Sequence, residues 1–244
     1  SGSGDALTTG GYNTAIGGFA LTADDVGSKT TAIGWGALQA QNYSTATDSL
    51  NVAVGYNSSK FITTGVQNTT VGGLSGDALT TGNNNAVLGY LALSAETTGS
   101  NNVAIGQQAL VSNTTGSGNV AVGKDALQNH TTGSSNTAIG DGAGGTSDGS
   151  VTSTGSRNVY IGYKAGLDNT DDDKLYISSY DSDNSAERNL ITGDFSTGDL
   201  SLGQTSGTVT ILNDADIDGT LTLGSLSDVE SSINTNSTNI SSND

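Results

Sequence analysis

One short phrase, Asn-(Thr/Val)-Ala-(Ile/Val)-Gly, returns along most of this chain, and its spacing restricts the fold more than any single residue does. Full copies close at Gly17, Gly55, Gly106, Gly123 and Gly140; looser copies close at Gly34, Gly72, Gly89 and Gly162. From one closing glycine to the next the steps are 17, 21, 17, 17, 17, 17, 17 and 22 residues. A period this regular, with two longer steps, marks a solenoid in which each repeat is one rung. Such a chain offers a long surface rather than an enclosed pocket.

Within a rung such as 102–118, Val103 and Ile105 share one face of a short strand and Ala104 takes the other. Both faces are apolar, one bulky and one small, which is the pattern of a strand buried on both sides. A single roll covers only its inner face, so the residues themselves argue for self-association. Seventeen residues accommodate two short strands and two turns. Thr-Thr-Gly ahead of the next strand supplies one turn, and the Ala-Leu pair (Ala109-Leu110, for example) is expected to fill the second strand. That pair is replaced at Ser58-Ser59 and Ser75-Gly76, where weaker packing is expected. Asn68, Asn85, Asn102, Asn119 and Asn136 recur in register and should stack as an amide ladder. Nine rungs give a rod on the order of 45 Å long.

Composition agrees with an elongated chain. Hydrophobic residues make up 33% and aromatics 5%, too little for a large compact core. Proline, which would break a stacked ladder, is absent. Without cysteine there is no disulfide framework. Without methionine, Ser1 is not expected to be a translational start, and the chain reads as a fragment or a processed chain. The net charge of −17 is concentrated late: residues 168–244 hold 15 acids and 2 bases. Such a surface repels nucleic acid and anionic lipid, and no apolar run reaches the length of a membrane helix, so neither is an expected partner.

After Leu167 the period ends. Short β segments at 174–177, 190–195, 200–202, 208–211 and 220–223 read as a β connector. Leu226, Val229, Ile233, Asn236, Ile240 and Asn243 then follow a heptad seam, the start of a coiled coil expected to run past Asp244.

Candidate sites are few. The position after each closing glycine holds Trp35, Tyr56, Tyr90 and Tyr163, with Gly, Gln, Lys or Asp elsewhere, and reads as solvent-facing. Together with Phe19 and Tyr43, the residues Trp35, Tyr56 and Tyr90 form a candidate receptor or glycan surface; the alternative is that the rings cover turn backbone. Asp214, Asp216 and Asp218, followed by Gly219, match the first half of a calcium loop, but Ser225 stands where a bidentate Glu belongs. A polar turn explains them as well, and Asp171–Asp173 form a second such acidic run. His130, the sole histidine, precedes a Thr-Thr-Gly turn and reads as a solvated loop residue. One His without Cys displays no catalytic triad, so no enzyme and no resident cofactor are expected.

The repeats resemble a known family. Asn-x-Ala-Ile-Gly-x-x-Ala is similar to the heads of trimeric autotransporter adhesins, the YadA-like left-handed β-roll. The longer form, with Ala-Leu and Thr-Thr-Gly at a 17-residue period, resembles phage tail fibres. The resemblance covers residues 5–167 and implies a parallel homotrimer whose sheets meet on the threefold axis. It also implies that Asn236 could form an axial amide layer around a chloride-type anion; a polar layer that only fixes register is the alternative. The combined expectation is an all-β trimeric β-solenoid over 1–167, a β connector over 168–224 and a trimeric coiled coil from 225–244. Its expected role is a tail fibre on the virion surface, attaching to a host receptor or glycan. The alternatives are the passenger of a bacterial surface adhesin or a monomeric ice- or calcium-binding solenoid.

Overall fold

Equivalent residues of successive rungs lie side by side because each rung repeats the last at the same length, so parallel pairing brings like against like. The computed structural model describes residues 2–147, 152–181 and 186–203. They fall in one of two compact units, Ser1–Gly207; the other, Thr208–Asp244, lies outside the described residues, and with it Asp214, Asp216, Asp218 and Asn236. The three-residue strands are β1 (Thr14–Ile16), β3 (Thr31–Ile33), β5 (Val52–Val54), β6 (Thr69–Val71), β7 (Ala86–Leu88), β8 (Val103–Ile105), β9 (Val120–Val122), β10 (Thr137–Ile139) and β11 (Val159–Ile161). They stack in that order into one parallel sheet, in register throughout: Ala104 pairs with Ala121, and Ala121 with Ala138. The protein is therefore an all-β parallel solenoid of 17-residue repeats.

The pleat sends the middle residue of each strand inward. Ala32, Ala53, Ala104, Ala121 and Ala138 are fully buried, while Ile16, Leu88 and Ile139, on the outward side, are 58%, 51% and 45% exposed. Opposite the inner Ala column stands the Ala-Leu pair, and here the structure differs from the sequence expectation. No second strand forms through it. Leu21, Leu38, Leu93, Leu110 and Leu127 adopt the left-handed conformation, with φ between 50° and 54°, inside turns. That conformation costs about 1–2 kcal/mol for a residue with a Cβ. Complete burial of each Leu side chain returns about 1.5–3 kcal/mol. The turns are also laced together: Leu93 N–H donates to Ala109 O, Leu110 to Ala126 O and Leu127 to Ala143 O, each at 2.9 Å. Stacked turns thus do the work of a sheet. Among the described residues a second sheet exists only locally, where β2 (Gly27–Ser28) pairs with β4 (Thr47–Asp48) beside the 21-residue step.

Asparagines close the third side. Asn85, Asn102, Asn119, Asn136 and Asn158 each donate their backbone N–H to the Oδ1 of the Asn one rung earlier, at 2.9–3.0 Å. The Nδ2 of Asn102, Asn119 and Asn136 donates to Gly116, Gly133 and Gly155 O in the neighbouring turn, at 2.9 Å. These side chains are buried, so the ladder satisfies polar groups that would otherwise be orphaned.

Where Ala-Leu is replaced, the interior rebalances its volume. Thr70 and Tyr160 occupy the inward strand position. On the same rungs the Leu position becomes Gly76 and Gly166, and on the preceding rungs Ser59 and Gly144. A Cβ at Gly144 would lie 2.7 Å from both Leu127 Cδ2 and Tyr160 Cδ2, and one at Gly166 would strike the Tyr160 ring. Around Thr70 the expected weak packing is a buried hydroxyl cluster instead. Ser58 Oγ lies 2.8 Å from Thr70 Oγ1 and 2.9 Å from Ser75 Oγ, with Ser59 Oγ 2.8 Å from Thr70 Oγ1.

The sheet continues past Leu167. β12 (Lys174–Asp181) adds to β11 in parallel, and β13 (Ala186–Asp194) and β14 (Asp199–Leu202) follow antiparallel. Tyr176 stacks on Tyr160 at 6.0 Å, carrying the interior into this meander. The connector expected over 168–224 is described only as far as Gly203.

Candidate binding surface

Position one after each closing glycine forms a column along the rod, at the turn where the strand ends. It reads Gly18, Trp35, Tyr56, Gly73, Tyr90, Gln107, Lys124, Asp141 and Tyr163. Adjacent members sit one rung, about 4.8 Å, apart. Trp35 and Tyr56 consequently stack, with ring centroids 5.4 Å apart and planes at 15°. Phe19 meets the other side of Trp35 edge-on at 5.4 Å, over the space that side-chain-free Gly18 leaves. Trp35, Tyr56 and Tyr90 are 43%, 56% and 53% exposed, and the Trp35 and Tyr90 rings at the same time lie over Gly18 and Gly73 of the preceding rung.

Lys60 and Phe61 complete the patch; sequence reasoning missed Lys60. Its Nζ lies 5.0 Å from the Phe61 ring centroid and 6.0 Å from that of Trp35. Between them and the preceding rungs runs a groove of about 470 Å³, lined by Thr22, Ala23, Gln39, Ala40, Lys60 and Phe61. A second cation–ring arrangement lies near the other end, where Lys164 Nζ sits 5.5 Å from the Tyr163 ring and 5.3 Å from that of Tyr180.

Tyr43 does not join this surface. It is 5% exposed, its hydroxyl donates to Gly65 O at 2.8 Å, and Asn51 Nδ2 donates to that hydroxyl at 3.2 Å. Burial raises its phenol above the usual range. Tyr43 is a structural member of the 21-residue step.

His130 also departs from expectation: it is fully buried, not solvated. It belongs to an interior column, seven residues past the closing glycine, that also contains Gln41, Ile62, Leu79, Glu96 and Asn113, all fully buried. Nε2 lies 3.2 Å from Ser153 Oγ, whose own proton goes to Asn169 O at 3.1 Å. Burial lowers the His130 pKa from 6.5 to about 4. Above pH 6.5 the ring is neutral folded or unfolded. Between 6.5 and 4 the unfolded chain takes up a proton that the folded chain refuses, so stability falls as the pH falls. The loss is largest, about 3 kcal/mol, below pH 4. Buried Glu96 has its carboxyl raised by the same desolvation, and it acts in the opposite sense, favouring the folded state as it protonates. Replacing His130 by Asn, the residue one rung earlier in the column, is expected to flatten the profile. Thermal melts at pH 7.5 and pH 4.5 check this; equal losses in both proteins would refute the assignment.

The acidic run after Leu167 is engaged by protein. Arg157 Nε donates to Asp173 Oδ1 at 2.6 Å, and Asp172 accepts from Ser156 N–H at 2.8 Å. The guanidinium holds the Asp173 carboxyl below its usual range. Among the described residues no cluster of three or more His, Cys, Asp or Glu could hold a metal ion, and no helix is long and apolar enough to cross a membrane.

Comparison with protein-family models, with curated proteins and with solved structures finds no match to this chain.

Proposed function

We propose that this chain is a segment of an extracellular adhesive fibre, in which three copies pack their outward sheet faces together to form a stiff rod. The observation that carries the reading is the outward side of the sheet. Ile16, Leu88, Ile105, Ile139 and Ile161 stand in one straight row, 37–58% exposed, on strands that are otherwise ordered and in register. A continuous apolar strip of this length marks an association surface. A second copy fits it best, because an identical row repeats at the same rung spacing along the whole rod. Three copies on one axis would present every surface site in triplicate and raise avidity for a host cell even where each contact is weak.

The resemblance of the repeats to phage tail fibres favours a virion fibre, with the passenger of a bacterial surface adhesin as the second setting. In either, the chain works by presenting a surface rather than by catalysis. The native mass in solution tests the association. Threefold the chain mass of 24.2 kDa is expected, and a native species of 24.2 kDa would overturn the proposal. Ile105→Lys combined with Ile139→Lys places charges in the row without touching the interior. It is expected to convert the trimer to a folded 24.2 kDa species with unchanged β-type circular dichroism.

A further inference from the structure

We infer that the groove lined by Lys60 and Phe61, near Trp35, is a binding site for an acidic saccharide: a pyranose lies against the Phe61 ring and the exposed edge of Trp35, with its carboxylate on Lys60. The inference rests on the adhesive reading and gives it a ligand class. Three observations converge. The first is the aromatic arrangement: Phe19, Trp35 and Tyr56 form a continuous, partly exposed cluster, and Phe61, 49% exposed, lines the groove with the Lys60 ammonium 5.0 Å from its ring. The exposed Phe61 ring suits the apolar face of a sugar, and a Trp35 ring already held by its neighbours loses little side-chain freedom on edge contact.

The second is Lys60. The chain has 24 acidic and 7 basic residues, an excess of carboxylates available to any cation. Lys29, Lys124, Arg157 and Lys174 each form an ion pair with an aspartate. Lys60 instead lies over two rings at the edge of the groove, with Asp77 on the next rung within its field. An ammonium set over aromatic faces keeps its charge and its donors, and an incoming carboxylate can take them. The third is the groove itself, whose volume of about 470 Å³ falls in the range of small-ligand sites. Its walls alternate apolar Ala23, Ala40 and Phe61 with Thr22 and Gln39, and the Gln39 Oε1 is buried without a hydrogen-bond partner.

Trp35 is the single tryptophan and its ring lies 6.0 Å from the Lys60 ammonium at the groove, so its fluorescence reports on this end of the chain. The test is a fluorescence titration of the intact protein with a galacturonic acid tetrasaccharide and, in parallel, with the neutral galactose tetrasaccharide. Saturable change with the acidic probe below about 10 mM is expected, with the neutral probe about tenfold weaker. Lys60→Gln should remove that preference, leaving the weaker neutral binding. By calorimetry, Trp35→Ala should abolish binding of both probes, and Tyr163→Ala, in the same column at the far end, should leave it intact. Each variant is first shown to keep the native mass and melting temperature. No saturable response to the acidic probe, equal response to both probes, or binding that survives Trp35→Ala would each overturn the site. A trimeric mass together with a flat titration would remove the ligand and leave the fibre standing.

Discussion

Gly106→Ala is expected to destabilise the fold by about 4 kcal/mol or more, among the largest losses a single methyl group can cause. Gly106 ends β8 at a φ of +135°, a conformation side chains rarely adopt. A Cβ there would lie 2.5 Å from the carbonyl carbon of Gly123 and closer still to its oxygen. Both are backbone atoms of the next rung, which cannot swing aside as a side chain does. The equivalent glycines 34, 55, 72, 89, 123 and 140 face the same obstruction from the rung that follows. Gly118→Ala is the matched control. Its φ is +70°, and a Cβ there first meets Ser135 Oγ at 3.7 Å, so only the left-handed strain of about 1 kcal/mol should appear. Thermal melts of the two variants, with limited proteolysis near residue 106, decide the matter. Comparable small shifts for both would show that the rung spacing can relax.

A loss of about 3–5 kcal/mol is expected for Asn119→Ala, from two buried backbone groups left without partners at about 1–3 kcal/mol each, plus the cavity. Asn119 Oδ1 accepts the Asn136 N–H at 3.0 Å, and Asn119 Nδ2 donates to Gly133 O at 2.9 Å. Alanine removes both at once. Asn119→Asp separates the two halves: the acceptor for Asn136 remains, but a carboxylate oxygen is turned toward the Gly133 carbonyl. That variant should be strongly destabilised at pH 7 and partly restored as the pH falls and the carboxyl protonates. A melting temperature for Asn119→Ala within a few degrees of the native protein would mean the ladder follows from the stack instead of supporting it.

Much of this architecture was legible because it rests on spacing. The closing glycines gave the rung length, the Val-Ala-Ile alternation gave an inner and an outer face, and the recurring asparagines gave their ladder. The left-handed turns were hidden for a physical reason. Leucine carries no signal for positive φ, and it adopts that conformation here because burial and an inter-rung hydrogen bond outweigh the strain. His130 was misread because its column mixes Gln, Ile, Leu, Glu, Asn and His, a variety typical of solvent-facing positions. Inside a stacked turn, polar members of such a column bond to one another: Asn113 Nδ2 donates to the Glu96 carboxylate. Tyr43 lies in the added residues of the 21-residue step, where the period gives no guidance. Lys60 shares a column with Thr22, Gln39 and Asp77, and only the structure shows that the rings beside it lie within reach.

A chain of near-identical rungs faces a hazard that an ordinary domain does not: a strand could dock one repeat too early or too late and still satisfy every ladder. The uneven rungs around Thr70 and Tyr160 answer it. If Tyr160 stacked on a rung bearing Leu127 in place of Gly144, ring and leucine would compete for one space. If Thr70 lost Ser58 and Ser59, its buried hydroxyl would keep only the long 3.4 Å hydrogen bond to Val52 O. These two places act as keys that admit a single alignment, one toward each end of the run of uniform rungs from Val103 to Ile139. Mis-threaded assembly is thereby penalised at both ends, while the stretch between them is free to gain or lose whole repeats, so the length of the rod can change without altering its cross-section.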